Sequence, residues 1–284
     1  MIPAAFEYLR AESLDHAVAL LTEHGSDAKL LAGGHSLLPL MKLRLAQPSL
    51  LIDLGLIADL SFIEDRGDHL AIGPLATDHA LEVSDVVGAR SPLLAQAAST
   101  VGDMQVRNRA TIGGSLAHGD PAADLPAVAM ALGASLLLKG PGGERTIRAE
   151  DFFLDIWTTA LEPDEAIAEV RVPTSQEPTF STYEKFRQRA GDWATAGVAV
   201  QVLRRNGAVD RASIVLVNVG PTPIRAKSAE EALTGREPSP ERLQEAANLA
   251  SEGLDPTGDL KASPDYKRHL VRVLTRRALA RLLL

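Results

Sequence analysis

The chain has no cysteine among its 284 residues. Thiolates hold iron–sulfur clusters, form disulfides and act as nucleophiles, so this polypeptide supports none of the three. If it takes part in redox chemistry, an organic cofactor must carry the electrons, and any metal centre further along must sit on another chain. The seven histidines fall in no H-E-x-x-H or comparable ligand spacing, which argues against a zinc or iron site. Basic residues are outnumbered, with 29 Lys and Arg against 37 Asp and Glu for a formal charge of -8. No basic stripe marks a nucleic-acid surface. No apolar run reaches the length that crosses a bilayer, and the opening MIPAAFEYLR lacks a signal-peptide layout. A cytoplasmic protein is expected, with peripheral attachment at the inner membrane face through a complex as its variant. Two common phosphate fingerprints are missing as well: no G-x-G-x-x-G follows a strand, and there is no G-x-x-x-x-G-K-[ST] loop.

What is present is organised around residues 29–44, KLLAGGHSLLPLMKLR. Leu30, Leu31 and Ala32 predict the end of a strand, Gly33-Gly34 breaks it, and Leu37, Leu40 and Met41 then recur at helical spacing. Ser36 is expected to cap this helix, and Pro39 is tolerable in its first turn. Glycines let the main chain approach a ligand, and the first N–H groups of a helix suit an anion such as a pyrophosphate. Residues 110–134, ATIGGSLAHGDPAADLPAVAMALGA, repeat the pattern: Ile112 runs into Gly113-Gly114 and Ser115, a turn at residues 118–121 follows, and a helix is expected near Asp124. Two such loops can grip one long ligand from two sides.

The rest predicts two domains, as the length and 45% hydrophobic content favour. Ser13 caps a helix ended by Gly25, residues 50–54 and 70–72 are strands, and Ser91-Pro92 opens another helix. Asp53 is expected as a turn anchor. Arg107 and Arg109 are either charge partners for phosphate or a solvated pair. A hairpin crosses residues 140–143, residues 167–172 form a strand, and residues 174–178, TSQEP, are the expected linker. Beyond it come three strand-like runs, the last two joined at Asn206-Gly207, a hairpin signal. Helices then dominate: Ser228 with Glu231 is a candidate capping box, and Pro240 and Pro264 each start a helix. Arg272, Arg276 and Arg277 on the last helix read as a solvated face, with contact to an anionic surface as the less common alternative.

The two glycine motifs, with FFL at residues 152–154, YEKFRQRAGDWATAG at 183–197 and DYK at 265–267, closely resemble the FAD-binding medium subunit of molybdenum hydroxylases. Within that xanthine dehydrogenase superfamily the likeness is greatest to the aerobic carbon monoxide dehydrogenase type, and it spans nearly the whole chain. The resemblance implies an α+β fold. A two-part FAD-binding domain of the vanillyl-alcohol-oxidase (PCMH) type would cover residues 1–175, divided near residue 55. A C-terminal domain with a three-stranded antiparallel sheet and helices would cover residues 176–284.

It further implies that Leu31, Ala32, Gly33, Gly34, His35 and Ser36, with Thr111, Ile112, Gly113, Gly114 and Ser115, cradle the FAD pyrophosphate. Asp124 matches an acid in polar contact with the flavin, Lys185 a basic cofactor contact, and Val101 and Leu161 pocket-lining positions. Trp193 stands where the family's carbon monoxide dehydrogenases carry a Tyr against the flavin ring. It keeps the flat apolar face and loses the hydroxyl. No catalytic residue is implied on this chain. FAD would take electrons from [2Fe-2S] clusters of a small subunit, while a large subunit oxidises substrate at a molybdenum cofactor. The assembly would be a dimer of heterotrimers, passing electrons on to quinone, NAD or oxygen. Two alternatives are a subunit of a related purine, aldehyde or N-heterocycle hydroxylase and a stand-alone FAD-dependent oxidoreductase on the same scaffold. The second needs its own acid and base beside the flavin, and no convincing pair is evident. An inert flavin-storage module is the third reading.

Overall fold

The computed structural model describes residues 2–174 and 177–284, so Ser175 and Gln176 of the expected linker lie outside the described residues. The chain opens with β1 (Glu7–Arg10), α1 (Leu14–His24), β2 (Ala28–Leu31), α2 (Leu37–Lys42) and β3 (Leu50–Asp53). The strands form a parallel sheet in the order β1-β3-β2. Ser13 Oγ caps α1 by accepting from His16 N at 3.1 Å, and Gly25, at φ +58°, ends it. Ala17 and Leu21 of α1 pack on Ala28, Leu50 and Ile52 in a small core of their own. Asp53 anchors the turn after β3 by accepting from Gly55 N at 2.9 Å. Ser36 does not cap α2: its backbone is already helical and its side chain makes no capping bond.

A second unit follows. It contains β4 (Ile63–Asp65), β5 (His69–Ile72), the helices α3 (Asp78–Val83), α4 (Asp85–Arg90), α5 (Pro92–Thr100), α6 (Met104–Arg107), α7 (Ile112–His118) and α8 (Asp124–Ala131), then β6 (Ser135–Gly140), β7 (Gly143–Arg148), α9 (Ala149–Phe152), β8 (Phe153–Asp155), β9 (Thr158–Thr159) and β10 (Ala166–Pro173). Its main sheet runs β4-β5-β10-β6-β7, so the last strand in sequence lies at the centre. The second glycine pair is not preceded by a strand. Ile112 is the first residue of α7, Thr111 Oγ1 caps it from Gly114 N at 3.2 Å, and only an isolated bridge joins Thr111 to Thr77. Residues 111–115 thus differ in build from residues 32–36. Every residue of α8 is buried, Asp124 included, as expected of a helix enclosed on all sides.

The last unit is β11 (Thr179–Phe186), β12 (Ala196–Arg205), β13 (Ala208–Val217), β14 (Ile224–Arg225), α10 (Lys227–Leu233), α11 (Pro240–Ser251) and α12 (Pro264–Leu283). Its antiparallel sheet has four strands, not three, because two residues of β14 pair with β13. Asn206 and Gly207, at φ +52° and +83°, make the tight β12–β13 turn. Ser228 and Glu231 form no capping box: α10 begins at Lys227 and has no side-chain cap. Glu230 is instead buried and accepts from Ile214 N at 2.8 Å and Arg225 Nε at 3.0 Å.

Alternation along β12 and β13 sends Val198, Val200, Ile214 and Leu216 into a core with α10–α12. Ala199, Val215 and Val217 point the other way, into the same core as Leu94, Ala97 and Val128 of α5 and α8. The sheet is therefore covered on both faces, once by its own helices and once by the preceding unit.

Candidate functional site

A cleft of about 810 Å³ runs where the three units meet, within the range of about 300–1,000 Å³ that ligand pockets occupy. Its walls bring together residues far apart in sequence: Leu31 to Ser36 from the first unit, Val101, Thr111, Gly113, Gly114, Ser115, Asp124 and Leu161 from the second, and Lys185 and Trp193 from the third. Ile112 does not line it; its side chain, 1% exposed, is buried behind the loop.

The first loop is built to leave its main chain free. Leu38 N donates to Gly34 O at 3.0 Å, and the N–H groups of residues 33–37 make no hydrogen bond among the described residues. An anion can collect several of them at once. Gly33 is required by close approach: a Cβ there would lie 2.0 Å from Arg109 O, so the two loops pack directly on each other. Gly34 adopts φ +75°, a conformation that favours glycine. Leu37 and Leu40 of α2 add apolar surface to the cleft.

The second loop contributes differently from the expectation of a matching main-chain cradle. Ile112 N donates to Ala76 O (3.0 Å), Gly113 N to Pro74 O (3.0 Å), Gly114 N to Thr111 Oγ1 (3.2 Å) and Ser115 N to Thr111 O (2.9 Å). Its amides are committed to the fold, and it offers the Ser115 hydroxyl and a bare Gly114 surface, with Ala32 3.9 Å from the site of a Gly114 Cβ. The phosphate-partner reading of the two arginines fails. Arg107 pairs with Glu82 at 2.8 Å and Val101 O at 3.1 Å, Arg109 is exposed, and neither lines the cleft.

Asp124 is the polar centre of the deep wall. Its Oδ2 accepts from Lys185 Nζ at 2.7 Å and its Oδ1 from the Tyr183 hydroxyl. Lys185 also donates to Thr100 O at 3.2 Å and is only 4% exposed, so it is a buried partner of the cleft wall, not a surface lysine. Burial pushes the Asp124 carboxyl up, against the pull of Lys185 and Tyr183, and burial beside Asp124 holds the Tyr183 hydroxyl well above its ordinary range. Tyr183 opens the YEKFRQRAGDWATAG motif but is given no role by it, although its spacing of two from Lys185 on a strand puts both on one face. Asp78 is a second buried acid on the cleft. Burial, then the neighbouring Asp124, push its carboxyl up to about 7, against Arg107. Burial lowers His118, another lining residue, despite Asp120.

Two aromatic residues flank the opening. Trp193 is half exposed and its loop is fixed by Lys261 Nζ to Asp192 at 2.8 Å and by Asn218 Nδ2 to Ala194 O at 2.6 Å. Trp157, between β8 and β9, sits at φ +52°, an uncommon conformation for a bulky residue. No group of His, Asp and Glu among the described residues is arranged to hold a metal ion. No helix among them is long and apolar enough to cross a membrane.

Comparison with known proteins identifies the family. Residues 4–175 match the family described as the FAD binding domain in molybdopterin dehydrogenase, and residues 181–282 the CO dehydrogenase flavoprotein C-terminal domain. The chain is 46% identical to the carbon monoxide dehydrogenase medium chain of Hydrogenophaga pseudoflava over 98% of this chain and 97% of that one. It is 37% identical to subunit alpha of the 6-hydroxypseudooxynicotine dehydrogenase complex of Paenarthrobacter nicotinovorans, over 100% and 96%. A solved structure of the Hydrogenophaga pseudoflava carbon monoxide dehydrogenase, in a form lacking the Mo-pyranopterin moiety, superposes with a TM-score of 0.97 at 48% identity, covering 99% of this chain and 98% of that one. With both family domains matched in order over almost its full length, the chain belongs to the FAD-binding flavoprotein family of the molybdopterin dehydrogenases.

Proposed function

We propose that the chain is the medium, electron-transferring subunit of a molybdenum hydroxylase of the carbon monoxide dehydrogenase type, and that its cleft holds FAD. One observation carries the placement: a run of free main-chain N–H groups opens onto the same cleft as the buried Asp124–Lys185 pair and Trp193. The N–H groups of residues 33–37 would hold the diphosphate, with the Ser115 hydroxyl opposite them. Asp124 and Lys185 would meet polar edges of the cofactor, and Trp193 would cover the ring as a flat apolar wall that excludes water. Bound FAD supplies reversible electron storage that no side chain of this polypeptide offers. The chain's own work is to bind, orient and shield.

Without cysteine the chain cannot hold the iron–sulfur clusters that would feed it. Substrate oxidation therefore belongs to partner subunits: a small iron–sulfur chain and a large molybdenum chain, in a dimer of heterotrimers that delivers electrons to quinone, NAD or oxygen. The test is purification of the chain with its partners and on its own. The complex is expected to carry one flavin per copy of this chain and to have that flavin bleached by carbon monoxide. The isolated chain is expected to oxidise neither carbon monoxide, purines nor aldehydes. Turnover by the isolated chain, or a colourless complex that takes up no added FAD, overturns the proposal.

A further inference from the structure

Several buried side-chain atoms lack hydrogen-bond partners, among them Ser91 Oγ, Thr195 Oγ1, Thr275 Oγ1 and Asp78 Oδ1. Of the residues in that group only Asp78 lines the cleft. It is 1% exposed, and a buried carboxyl oxygen without a partner is destabilising. The main chain at this position is fixed: Asp78 N donates to Ala110 O at 3.0 Å, beside the bridge that joins Thr77 to Thr111. A buried carboxyl without a protein partner, on a residue that lines the cleft, is a polar group whose missing hydrogen bond a ligand atom can supply.

The geometry points to Asp78 as a cofactor-contacting residue whose Oδ1 makes a hydrogen bond to FAD in the cleft. This rests on the placement of FAD given above. The direction of the bond follows from the charges around the carboxyl. Asp78 faces Asp124 from α8 and Arg107 from α6. Arg107 is spent on Glu82 at 2.8 Å, and Asp124 is held by Lys185 and Tyr183. From α4, Asp85 is exposed and Arg90 is paired with Asp65 at 2.9 Å, while α5 carries no ionisable residue. A carboxyl already lifted to about 7 in this setting gains a further negative neighbour when a diphosphate enters the cleft, which favours the protonated form. Asp78 then donates its O–H to an acceptor on FAD, and above about pH 7, where the flavin-free carboxyl is ionised, binding takes up a proton from solvent at this group.

The test uses the complex stripped of flavin and titrated with FAD, following quenching of flavin fluorescence and the visible difference spectrum from about pH 6 to about pH 8.5. In the wild type, affinity is expected to fall by on the order of ten-fold as pH rises through this range, the worth of one hydrogen bond. Asp78→Asn keeps a neutral donor of the same shape. It is expected to bind as tightly as the wild type at the acid end and to lose the pH dependence. Asp78→Ala is expected to bind on the order of ten-fold more weakly at the acid end. Unchanged affinity and flavin spectrum in Asp78→Ala overturns the contact, and a wild-type pH slope in Asp78→Asn overturns the proton uptake. If Asp78→Ala does not fold, the Asp78→Asn profile decides. Failure of the wild type itself to bind FAD sinks the cofactor placement instead, so the two failures are distinct.

Discussion

At the scale of single residues, the cleft depends on what is missing as much as on what is present. Gly33 has no side chain because the Arg109–Ala110 peptide fills the space where one would be, with Arg109 O only 2.0 Å from the point a methyl carbon would occupy. Backbone cannot move aside as a flexible side chain can, so Gly33→Ala must part the two loops. The expected outcome is a loss of roughly 1–3 kcal/mol in urea unfolding and a complex purified with little flavin. Full flavin content in this variant would show that the loops need not touch. Asp78 yields a prediction on the flavin-free chain as well. Its folded carboxyl titrates at about 7 against an ordinary value of 3.8, so over that interval the folded chain binds more protons here than the unfolded chain. The contribution of this group to stability is therefore complete below the unfolded value and is lost as pH rises through the folded one. Asp78→Asn removes that loss, so its Tm should exceed that of the wild type by more near pH 8 than near pH 5. An equal difference at both pH values in a melting series would contradict the assigned titration.

At the scale of elements, β11 is the strand that ties the third unit to the cleft. Its alternate residues Tyr183 and Lys185, with Arg187 just beyond its end, reach across to Asp124 and to Thr100 O, which Arg187 Nη1 meets at 2.9 Å, and Gln96 Oε1 accepts from Tyr183 N at 3.0 Å. Lys185→Met keeps most of the side-chain bulk and removes the charge, leaving Asp124 with the Tyr183 hydroxyl alone. Breaking a buried pair in this way costs roughly 3–5 kcal/mol. The Asp124 carboxyl then rises further, so the loss in urea midpoint should be larger near pH 8 than near pH 5.5, where protonation relieves it. A small loss without pH dependence would mean that the pair is incidental. Element chemistry also sets what the sequence could reveal. Asn206-Gly207 was legible because a two-residue turn needs two positive φ angles, and Ser13, Ser91-Pro92, Pro240 and Pro264 marked helix starts through local geometry. The first glycine loop was legible as a strand-to-helix break. The second misled, because Gly113 and Gly114 sit inside a helix whose cap is Thr111, and glycine spacing alone does not tell a loop from a first turn. Ser228 and Glu231 misled in the same way: Glu230 is drawn to the sheet edge by Ile214 N, a partner sixteen residues away. Asp78 carried no local signal, since an acid at a helix start suits the dipole of any helix. Only the fold places it beside Asp124.

At the scale of the whole molecule, the question is whether two matched family domains behave as two bodies. Domains joined by small polar interfaces move and unfold separately, whereas a large apolar interface couples them. Here one face of the C-terminal sheet, with Ala199, Val215 and Val217, belongs to the same core as Leu94, Ala97, Val128 and Leu136 of the preceding unit. Tyr183 and Ala194 join that core too, so the strand and loop that bring Lys185 and Trp193 to the cleft are rooted in it. Pulling the halves apart would expose this apolar face and leave Asp124 and Lys185 without each other. A single cooperative transition is therefore expected for the chain. The two tryptophans make it measurable, since Trp157 lies in the FAD-binding half and Trp193 in the C-terminal half. Single-tryptophan variants, Trp193→Phe and Trp157→Phe, each report one half by fluorescence while far-UV circular dichroism reports both. Coincident urea midpoints across the three signals are expected. Separated midpoints would show that the sheet docks loosely on α5 and α8, and the cleft would then be a joint between moving bodies, with the distance from Trp193 to the first glycine loop set by the ligand and not by the fold.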